Sequence, residues 1–158
     1  MIKDTNSLNQ VAEFHTTFKH PILPTPVIPS KERCELRIAL LAEELKELQQ
    51  AITDNDLVEV ADAFCDLQYV LSGAILEFGL GEKFKELFDE VHRSNMSKAC
   101  KTVEEANATI AHYHAKDGTE SYYTEIDGLF LVYRKIDNKT LKSINYSPAS
   151  LNAVLSPL

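Results

Sequence analysis

Apolar residues recur every three to four positions over the first hundred residues, which predicts a series of amphipathic helices. Four such segments are separated by breaks, at about 7–18, 31–52, 57–78 and 81–95. Four prolines between the first and second segments exclude helix there and predict an extended connector over residues 20–30. The other breaks are short, so consecutive helices are expected to pack as antiparallel neighbours in a bundle.

The ends of these helices carry local signals. Ser7, with Gln10 three residues later, is the predicted cap of the first helix. Ser30 restarts helix after the connector, and Asp56 is the predicted cap of the third segment. Gly79 is a typical residue at the C-terminal end of a helix.

The pattern changes after residue 98. Residues 102–116 predict a fifth helix, with Thr102 and Glu105 as a capping box. Residues 121–136 are rich in aromatic and branched side chains around Asp127–Gly128, which predicts a β-hairpin. The tail after residue 143 is expected to be extended, either docked on the protein or facing a partner.

The predicted fold class is therefore mainly α, with a bundle of four to five helices and a small C-terminal β-hairpin. We expect one domain over 1–158, in which 1–100 form the helical core and 101–158 form the extra helix, hairpin and tail. The third helix is apolar nearly all round and is expected to be buried. The stripes expected to point inward, or into a subunit interface in the second case, are Leu41, Leu45, Leu48 and Ile52, and Phe84, Leu87, Phe88 and Val91.

Composition narrows the function. The net charge of −8 argues against binding a long nucleic acid, because phosphate contacts need Lys and Arg. No apolar run is long enough to span a membrane, and no signal peptide is expected at the N-terminus. Cys34, Cys65 and Cys100 have no zinc-site spacing, so we expect reduced thiols, two of them buried, in a cytoplasmic protein.

Six carboxylates form two acidic stripes on the second and third helices. They are Glu43, Glu44 and Glu47 on the second helix, and Glu59, Asp62 and Asp66 on the third. At about 100° per residue, the first group covers roughly 100° and the second lies within roughly 60°. No Lys or Arg shares the second stripe, so its like charges repel one another. A hard divalent cation such as Mg²⁺ would relieve that repulsion.

Ordinary helix chemistry accounts for part of this acidic pattern. The first stripe resembles a solvated helix face, Glu59 is a candidate capping partner of Asp56, and Asp62 favours the positive end of the helix dipole. None of these roles accounts for Asp66. A non-catalytic interaction module, with a solvated acidic face and a hairpin that pairs with a partner strand, is the alternative. A di-iron bundle is disfavoured, because neither stripe contains Glu-x-x-His.

The acidic residues, Glu43-Glu44-x-x-Glu47 followed by Glu59-x-x-Asp62, resemble the EExxE…ExxD signature of the all-α nucleoside triphosphate pyrophosphatases. The stretches "LRIALLAEELKEL", "VADAFCDLQYVLSGAILEFGL" and "FDEVHRSNMSK" are similar to the MazG-like, phosphoribosyl-ATP-pyrophosphohydrolase-like branch. The resemblance covers about residues 8–100, with a weaker match in "LKSINYSPASL". Residues 102–137 look like an insertion with no assigned role.

The resemblance implies an Mg²⁺-dependent hydrolase that converts a nucleoside triphosphate and water to the monophosphate and pyrophosphate, with Mn²⁺ as a substitute metal. It implies that Glu43, Glu44, Glu47, Glu59 and Asp62 hold metal or activate water, with Asp66 as a lesser ligand. Glu44 or Glu47 would position or deprotonate the water. Arg93, Asn95 and Lys98 would meet the phosphates or the base. The resemblance further implies an intertwined homodimer or dimer of dimers, with an aromatic pocket for the base.

Overall fold

The computed structural model describes residue 3 and residues 5–155. In this part of the chain the elements are α1 (Ser7–Phe18), α2 (Lys31–Thr53), α3 (Leu57–Glu77), a 3₁₀ turn (Gly81–Lys83), α4 (Phe84–Met96), α5 (Val103–Asp117), β1 (Ser121–Ile126), β2 (Leu129–Arg134) and α6 (Leu151–Leu155). The mainly α class and the hairpin are confirmed, whereas the short α6 was not predicted. The chain forms two compact units, one ending at Phe84 and the other beginning at Lys85.

Two predicted helix caps are present. The side chain of Asp56 accepts hydrogen bonds from the backbone N–H of Val58 at 2.9 Å and of Glu59 at 3.2 Å. The hydroxyl of Thr102 accepts from the N–H of Glu105 at 3.2 Å. Each cap satisfies backbone donors that the first turn of a helix leaves unpaired, so these helices begin where the sequence predicted.

The predicted cap of α1 is wrong. Ser7 is the first helical residue and Asn6 is the N-cap. The side-chain oxygen of Asn6 accepts from the side-chain amide of Asn9 at 2.6 Å instead of capping the backbone. Ser7 and Gln10 therefore do not form a capping box.

The proline-rich connector is extended, as predicted, and runs alongside the C-terminal end of α3. The N–H groups of Leu23 and Val27 donate to the carbonyls of Leu76 and Phe78, both at 3.0 Å. These bonds bring the connector's backbone against the last turn of α3. The connector therefore covers part of that helix within the first unit.

Gly79 makes this close approach possible. Its φ is +67°, and a Cβ at this position would lie 1.9 Å from the backbone oxygen of Thr25. Both the backbone conformation and the lack of space require glycine.

Helices α2 and α3 pack along an antiparallel seam. The α2 residues that are buried or half-buried in it are Arg37, Leu41, Glu44, Leu48 and Ala51. Those of α3 are Val60, Ala63, Asp66, Val70, Gly73 and Glu77. Leu45 and Ile52, expected to point inward, are about 60% exposed because they lie off this seam. The predicted α2 stripe was therefore displaced from the real one.

The expectation that α3 is buried all round is also wrong for the single chain. Within the first unit α3 contacts α1 and α2. Its remaining surface leaves Leu57, Val58, Phe64 and Leu71 exposed. On α4, Leu87 is buried as predicted, whereas Phe88 and Val91 are exposed.

The second unit has its own core. Its fully packed residues are Cys100, Ala106, Val132 and Leu141, with Ile110, Tyr113, Tyr123 and Phe130 packed against them. Helix α5 supplies one layer and the β1–β2 hairpin the other. The hairpin turns at Asp127 and Gly128, both with positive φ, as the sequence predicted.

The C-terminal tail docks within the second unit. The hydroxyls of Tyr146 and Ser94 are 2.8 Å apart, and the N–H of Ser147 donates to the hydroxyl of Ser97 at 2.9 Å. The N–H of Ser150 donates to Glu90 at 2.7 Å. Of the two alternatives left open for the tail, the described residues show docking, and Leu151–Leu155 form a short helix where extended chain was predicted.

All three cysteines are free thiols. Cys100 is buried, Cys34 is half-buried and Cys65 is exposed, so the expectation of two buried thiols is wrong. Across the described residues, no single helix is long and apolar enough to cross a membrane.

Candidate functional site

The two acidic stripes meet at the seam between α2 and α3. Glu44 and Asp66 are seam residues and are half-buried, whereas Glu43, Glu47, Glu59 and Asp62 are exposed. The two half-buried acids therefore lie between helices, with exposed acids beside them.

Electrostatics show which acids are close together. Partial burial raises the pKa of Glu44, and the charges of Glu47, Asp66, Glu43 and Asp62 raise that pKa further, in decreasing order. Glu44 is thus surrounded by like charges from both helices. Glu59 is not among the four charges that raise this pKa most.

A second polar layer in the same seam is neutralised. Glu77 is 1% exposed and accepts hydrogen bonds from Arg37 Nη2 at 2.6 Å and from Arg33 Nε at 3.2 Å. Burial raises the pKa of Glu77, but the bonds to the two guanidinium groups outweigh it and leave the pKa below its usual value. This buried acid is therefore ionised and paired.

The Glu44–Asp66 layer repeats this geometry without a cation. Glu44 lies eleven residues after Arg33 on α2, and Asp66 lies eleven residues before Glu77 on α3, about three helical turns in each case. Among the residues that the structure describes, neither Glu44 nor Asp66 forms an ion pair. One layer of the seam thus pairs a carboxylate with two guanidinium groups, and the other carries uncompensated negative charge.

The donor set of this layer suits a hard cation, because all its side chains present carboxylate oxygens. It is not a closed ligand cage. Within residue 3 and residues 5–155, no three His, Cys, Asp or Glu side chains are grouped closely enough to hold a metal ion by themselves. A cation here would need further oxygen ligands from outside these side chains.

A histidine completes the buried network around Glu77. His15 Nε2 lies 3.3 Å from Arg37 Nη2, and His15 Nδ1 lies 2.9 Å from the carbonyl oxygen of Pro21. Since Arg37 only donates, Nε2 accepts and Nδ1–H donates, which makes this imidazole neutral. Burial lowers the pKa of His15, and the charge of Arg37 lowers it further against the bond to Pro21. The network therefore links α1, α2, α3 and the connector.

A cavity of about 380 Å³ lies between α1 and α3. Its lining residues are Thr5, Ser7, Gln10, Val11, Phe64, Cys65, Gln68 and Tyr69. Cys65 and Tyr69 each follow an acid, Asp62 and Asp66, by three residues and so share its side of α3. The cavity therefore adjoins the acidic stripe of α3.

This cavity was not predictable from the sequence, because the residues of α1 and α3 that line it meet only in the folded chain. One signal was available, namely the aromatic Tyr69 on the acidic side of α3. Its ring packs edge-on against Phe14 of α1, with centroids 5.6 Å apart.

The three predicted phosphate-binding residues belong to the second unit. Arg93 bonds to Glu90 at 2.7 and 2.9 Å, to the hydroxyl of Ser147 at 3.1 Å and to the carbonyl of Pro148 at 3.1 Å. Arg93 thus helps to hold the tail.

Asn95 and Lys98 are brought together next to this region of the chain. The ammonium group of Lys98 donates to Asn95 Oδ1 at 2.7 Å. Lys98 retains two further donors for another ligand. The role of all three residues in substrate binding stays a prediction.

Comparison with known proteins identifies one viral relative and one family whose model covers both acidic stripes. An uncharacterised protein of Acanthamoeba polyphaga mimivirus is 25% identical, over 84% of this chain and 89% of the viral protein. The family model of phosphoribosyl-ATP pyrophosphohydrolase matches residues 11–95, which include both acidic stripes and the seam. The chain therefore belongs to the phosphoribosyl-ATP pyrophosphohydrolase family, within the MazG-like all-α nucleoside triphosphate pyrophosphatases that its acidic residues resemble.

Proposed function

We propose that this protein is an Mg²⁺-dependent nucleoside triphosphate pyrophosphohydrolase. Water would attack the α-phosphorus of an NTP or dNTP, a new P–O bond would form, and the bond from the α-phosphorus to the bridging oxygen would break. The products are the nucleoside monophosphate and pyrophosphate. The observation that carries the proposal is the unpaired Glu44–Asp66 layer, set three turns from the paired Glu77 layer in one seam.

The chemistry of the acidic layer supports a divalent cation. Its ligands would come from Glu43, Glu44, Glu47, Glu59, Asp62 and Asp66, with Glu59 the most distant in electrostatic terms. When bound, Mg²⁺ would supply positive charge that offsets the charge of the triphosphate. Because these carboxylates do not close a cage, substrate oxygens and water would complete its shell. Mn²⁺ would serve as a substitute.

The proton of the attacking water needs an acceptor. Glu44 or Glu47 would accept it, since both lie on the α2 acidic stripe. A carboxylate with a raised pKa is a better general base near neutral pH than an ordinary one, and the pKa of Glu44 is raised. Glu47, which is exposed, would instead orient the water for in-line attack.

The cavity between α1 and α3 is the proposed pocket for the nucleobase. Tyr69 and Phe64 offer aromatic surface, and the amides of Gln10 and Gln68 offer both donors and acceptors to a base edge. The cavity adjoins the acidic stripe, so a base held there would leave its phosphates near the carboxylates. Separately, the family resemblance is the reason to propose Lys98, Asn95 and Arg93 as residues that contact phosphate.

A homodimer or dimer of dimers is proposed for the active form. Leu45, Ile52, Leu57, Val58 and Phe64 are exposed on α2 and α3. Apolar side chains grouped on one helical pair are typical of protein interfaces. The reaction would take place in the cytoplasm, where the three free thiols stay reduced.

The test is hydrolysis of a panel of common and modified nucleoside triphosphates with Mg²⁺ in ¹⁸O-labelled water. We expect monophosphate and pyrophosphate, with the label in the monophosphate. Glu47→Gln and Asp62→Asn should each lower kcat by at least about 100-fold, the usual scale for a positioned acid–base group. Glu13→Gln, an exposed acid on α1, is the matched control and should leave kcat unchanged.

Two outcomes would contradict the proposal. Label in the pyrophosphate would place the attack at the β-phosphorus. Absence of turnover with every nucleotide would favour the alternative, a non-catalytic helical interaction module with a solvated acidic face.

A further inference from the structure

We propose that strand β1 pairs edge to edge with β1 of a second copy of this chain, joining two hairpins into one four-stranded antiparallel sheet. The pairing involves residues 119–127 and does not depend on the proposed catalytic activity.

The register of the hairpin shows which backbone groups face outward. The two-residue turn makes Ile126 and Leu129 a hydrogen-bonded pair, and the pairs then alternate along the ladder. On β2, Phe130, Val132 and Arg134 therefore turn their backbone groups away from β1. Those groups bond instead to Cys100, Leu141 and Lys139, at 2.8 to 2.9 Å.

The opposite residues of β1 have no such neighbour. Ser121, Tyr123 and Glu125 face Arg134, Val132 and Phe130 in the register, so their N–H and C=O groups point away from β2. Within the described part of the chain, no backbone hydrogen bond reaches these outward groups. One edge of the sheet is thus covered and the other is open.

Apart from the charge of Glu125, β1 lacks the features that protect an open edge. The strand SYYTEI contains no proline and no lysine, and its six residues pair with β2 without a bulge. Those are the usual devices that prevent edge pairing. An unprotected edge of six residues favours a partner strand.

The outward N–H and C=O groups of β1 can form hydrogen bonds with the same groups of a second copy. An antiparallel pairing about a two-fold axis at Tyr123 sets Ser121 against Glu125 of the second copy, and the reverse. All three outward residues then form hydrogen-bonded pairs, which gives about six bonds. With the two-fold axis at Tyr122 or Thr124, only two of the three outward residues would pair with a residue of β1 in the second copy.

Side chains favour the same register. It sets Tyr122 against Thr124 of the second copy and puts no two like charges directly opposite each other. An axis at Glu125 would set two carboxylates face to face. The Tyr123 axis is therefore the register to which we commit.

The layer of helices leaves room for the second copy. Two strands span about 9.6 Å, which matches the 8–10 Å separation of packed helices, so both copies of α5 would lie side by side. A cavity of about 470 Å³ already lies between α5 and the start of β1. Its lining residues include Asn107, Ala111, His114 and Ser121, and the buried Ser121 Oγ has no partner among the described residues.

The first test compares full-length variants by sedimentation velocity. Ser121→Pro with Glu125→Pro removes two outward N–H donors and keeps the bonds to β2. We expect the mass of the assembly to fall about twofold, as for loss of one two-fold interface. The control, Ser121→Ala with Glu125→Ala, keeps both donors and should retain the wild-type mass. An unchanged mass in the proline variant would overturn the proposal.

The second test reports the register directly and does not depend on the proline variant folding. In a Cys65→Ser background, chains with Tyr122→Cys are mixed with chains with Thr124→Cys and oxidised. Residue 122 of one copy and residue 124 of the other would form a non-hydrogen-bonded pair. Their Cα atoms would be about 4.5 Å apart, which is within the range of a disulfide. We expect a crosslinked dimer from the mixture and none from Tyr122→Cys alone. No crosslink in the mixture would refute the pairing.

Discussion

Arg37 on α2 donates to Glu77 on α3 at 2.6 Å, and this pair is buried in the seam that also holds Glu44 and Asp66. The seam therefore shows two ways in which acids occupy a helix interface. Near one end, two guanidinium groups neutralise the carboxylate. Three turns away, Glu44 and Asp66 form no ion pair with any residue that the structure describes.

Removing the buried acid should be costly. Glu77→Gln would leave Arg33 and Arg37 without their shared counter-charge, and we expect a loss of about 3–5 kcal/mol in the free energy of unfolding. Asp89→Asn breaks the exposed pair with Lys85 and should cost far less, because solvent screens that pair. Urea unfolding measures both. Similar losses of unfolding free energy in the two variants would show that burial does not increase the cost of breaking the ion pair.

Removing an unpaired acid should have the opposite sign. In metal-free protein, Asp66→Asn relieves repulsion with Glu44, so we expect the free energy of unfolding to rise by roughly 0.5 kcal/mol. Glu13→Gln, on an exposed face of α1, should change it by less. Thermal unfolding in EDTA is the measurement, and a destabilised Asp66→Asn would contradict the repulsion.

Bound Mg²⁺ should make the wild-type protein more stable than the variants that lack these acids. If Mg²⁺ binds the acidic layer, wild-type protein should gain about 2.7 kcal/mol at a concentration 100 times Kd. Glu44→Gln with Asp66→Asn should lose most of the gain, and Mn²⁺ should act like Mg²⁺. Midpoints are compared with and without EDTA at constant ionic strength. Equal Mg²⁺-induced gains in stability in wild type and variant would show that the metal binds outside the acidic layer.

His15 predicts a pH dependence of stability. Its pKa is lowered in the folded protein, so the unfolded chain binds the proton more readily. The stability from neutral His15 is present above the unfolded pKa of about 6.5 and declines as the pH falls below it. Protonation of Nε2 would also remove one of the two acceptors of Arg37 Nη2 and leave Glu77 as the other.

Unfolding free energies at pH 8, 7, 6 and 5 measure this slope. His15→Asn keeps a donor for Pro21 but does not titrate, so its slope between about pH 7 and 5 should be shallower than that of wild type. Parallel curves would mean that His15 does not contribute to the pH dependence.

Local features of this fold were predictable. Asp56 caps α3 and Asp127–Gly128 turns the hairpin because each signal acts through backbone groups a few residues away. Leu45 and Ile52 were expected inside and are exposed. Helical spacing shows that an apolar stripe exists but does not show which neighbour covers it.

The candidate site was predictable only in part. The acids of α2 and α3 were identified by spacing, and the structure brings Glu44 close to Asp62 and Asp66. The pairing of Glu77 with Arg33 and Arg37 was missed because it joins residues about forty positions apart. A lone acid within "SGAILEFGL" was the available signal, since such an acid needs a buried partner.

Gly79 has a consequence for how this chain tolerates mutation. Any side chain there would collide with the backbone at Thr25, and backbone cannot move aside as a flexible side chain does. In a library that randomises codon 79, the clones that keep the connector seated should carry glycine alone. The proline-rich connector and the end of α3 are thus tied together, so sequence drift in one is constrained by the other.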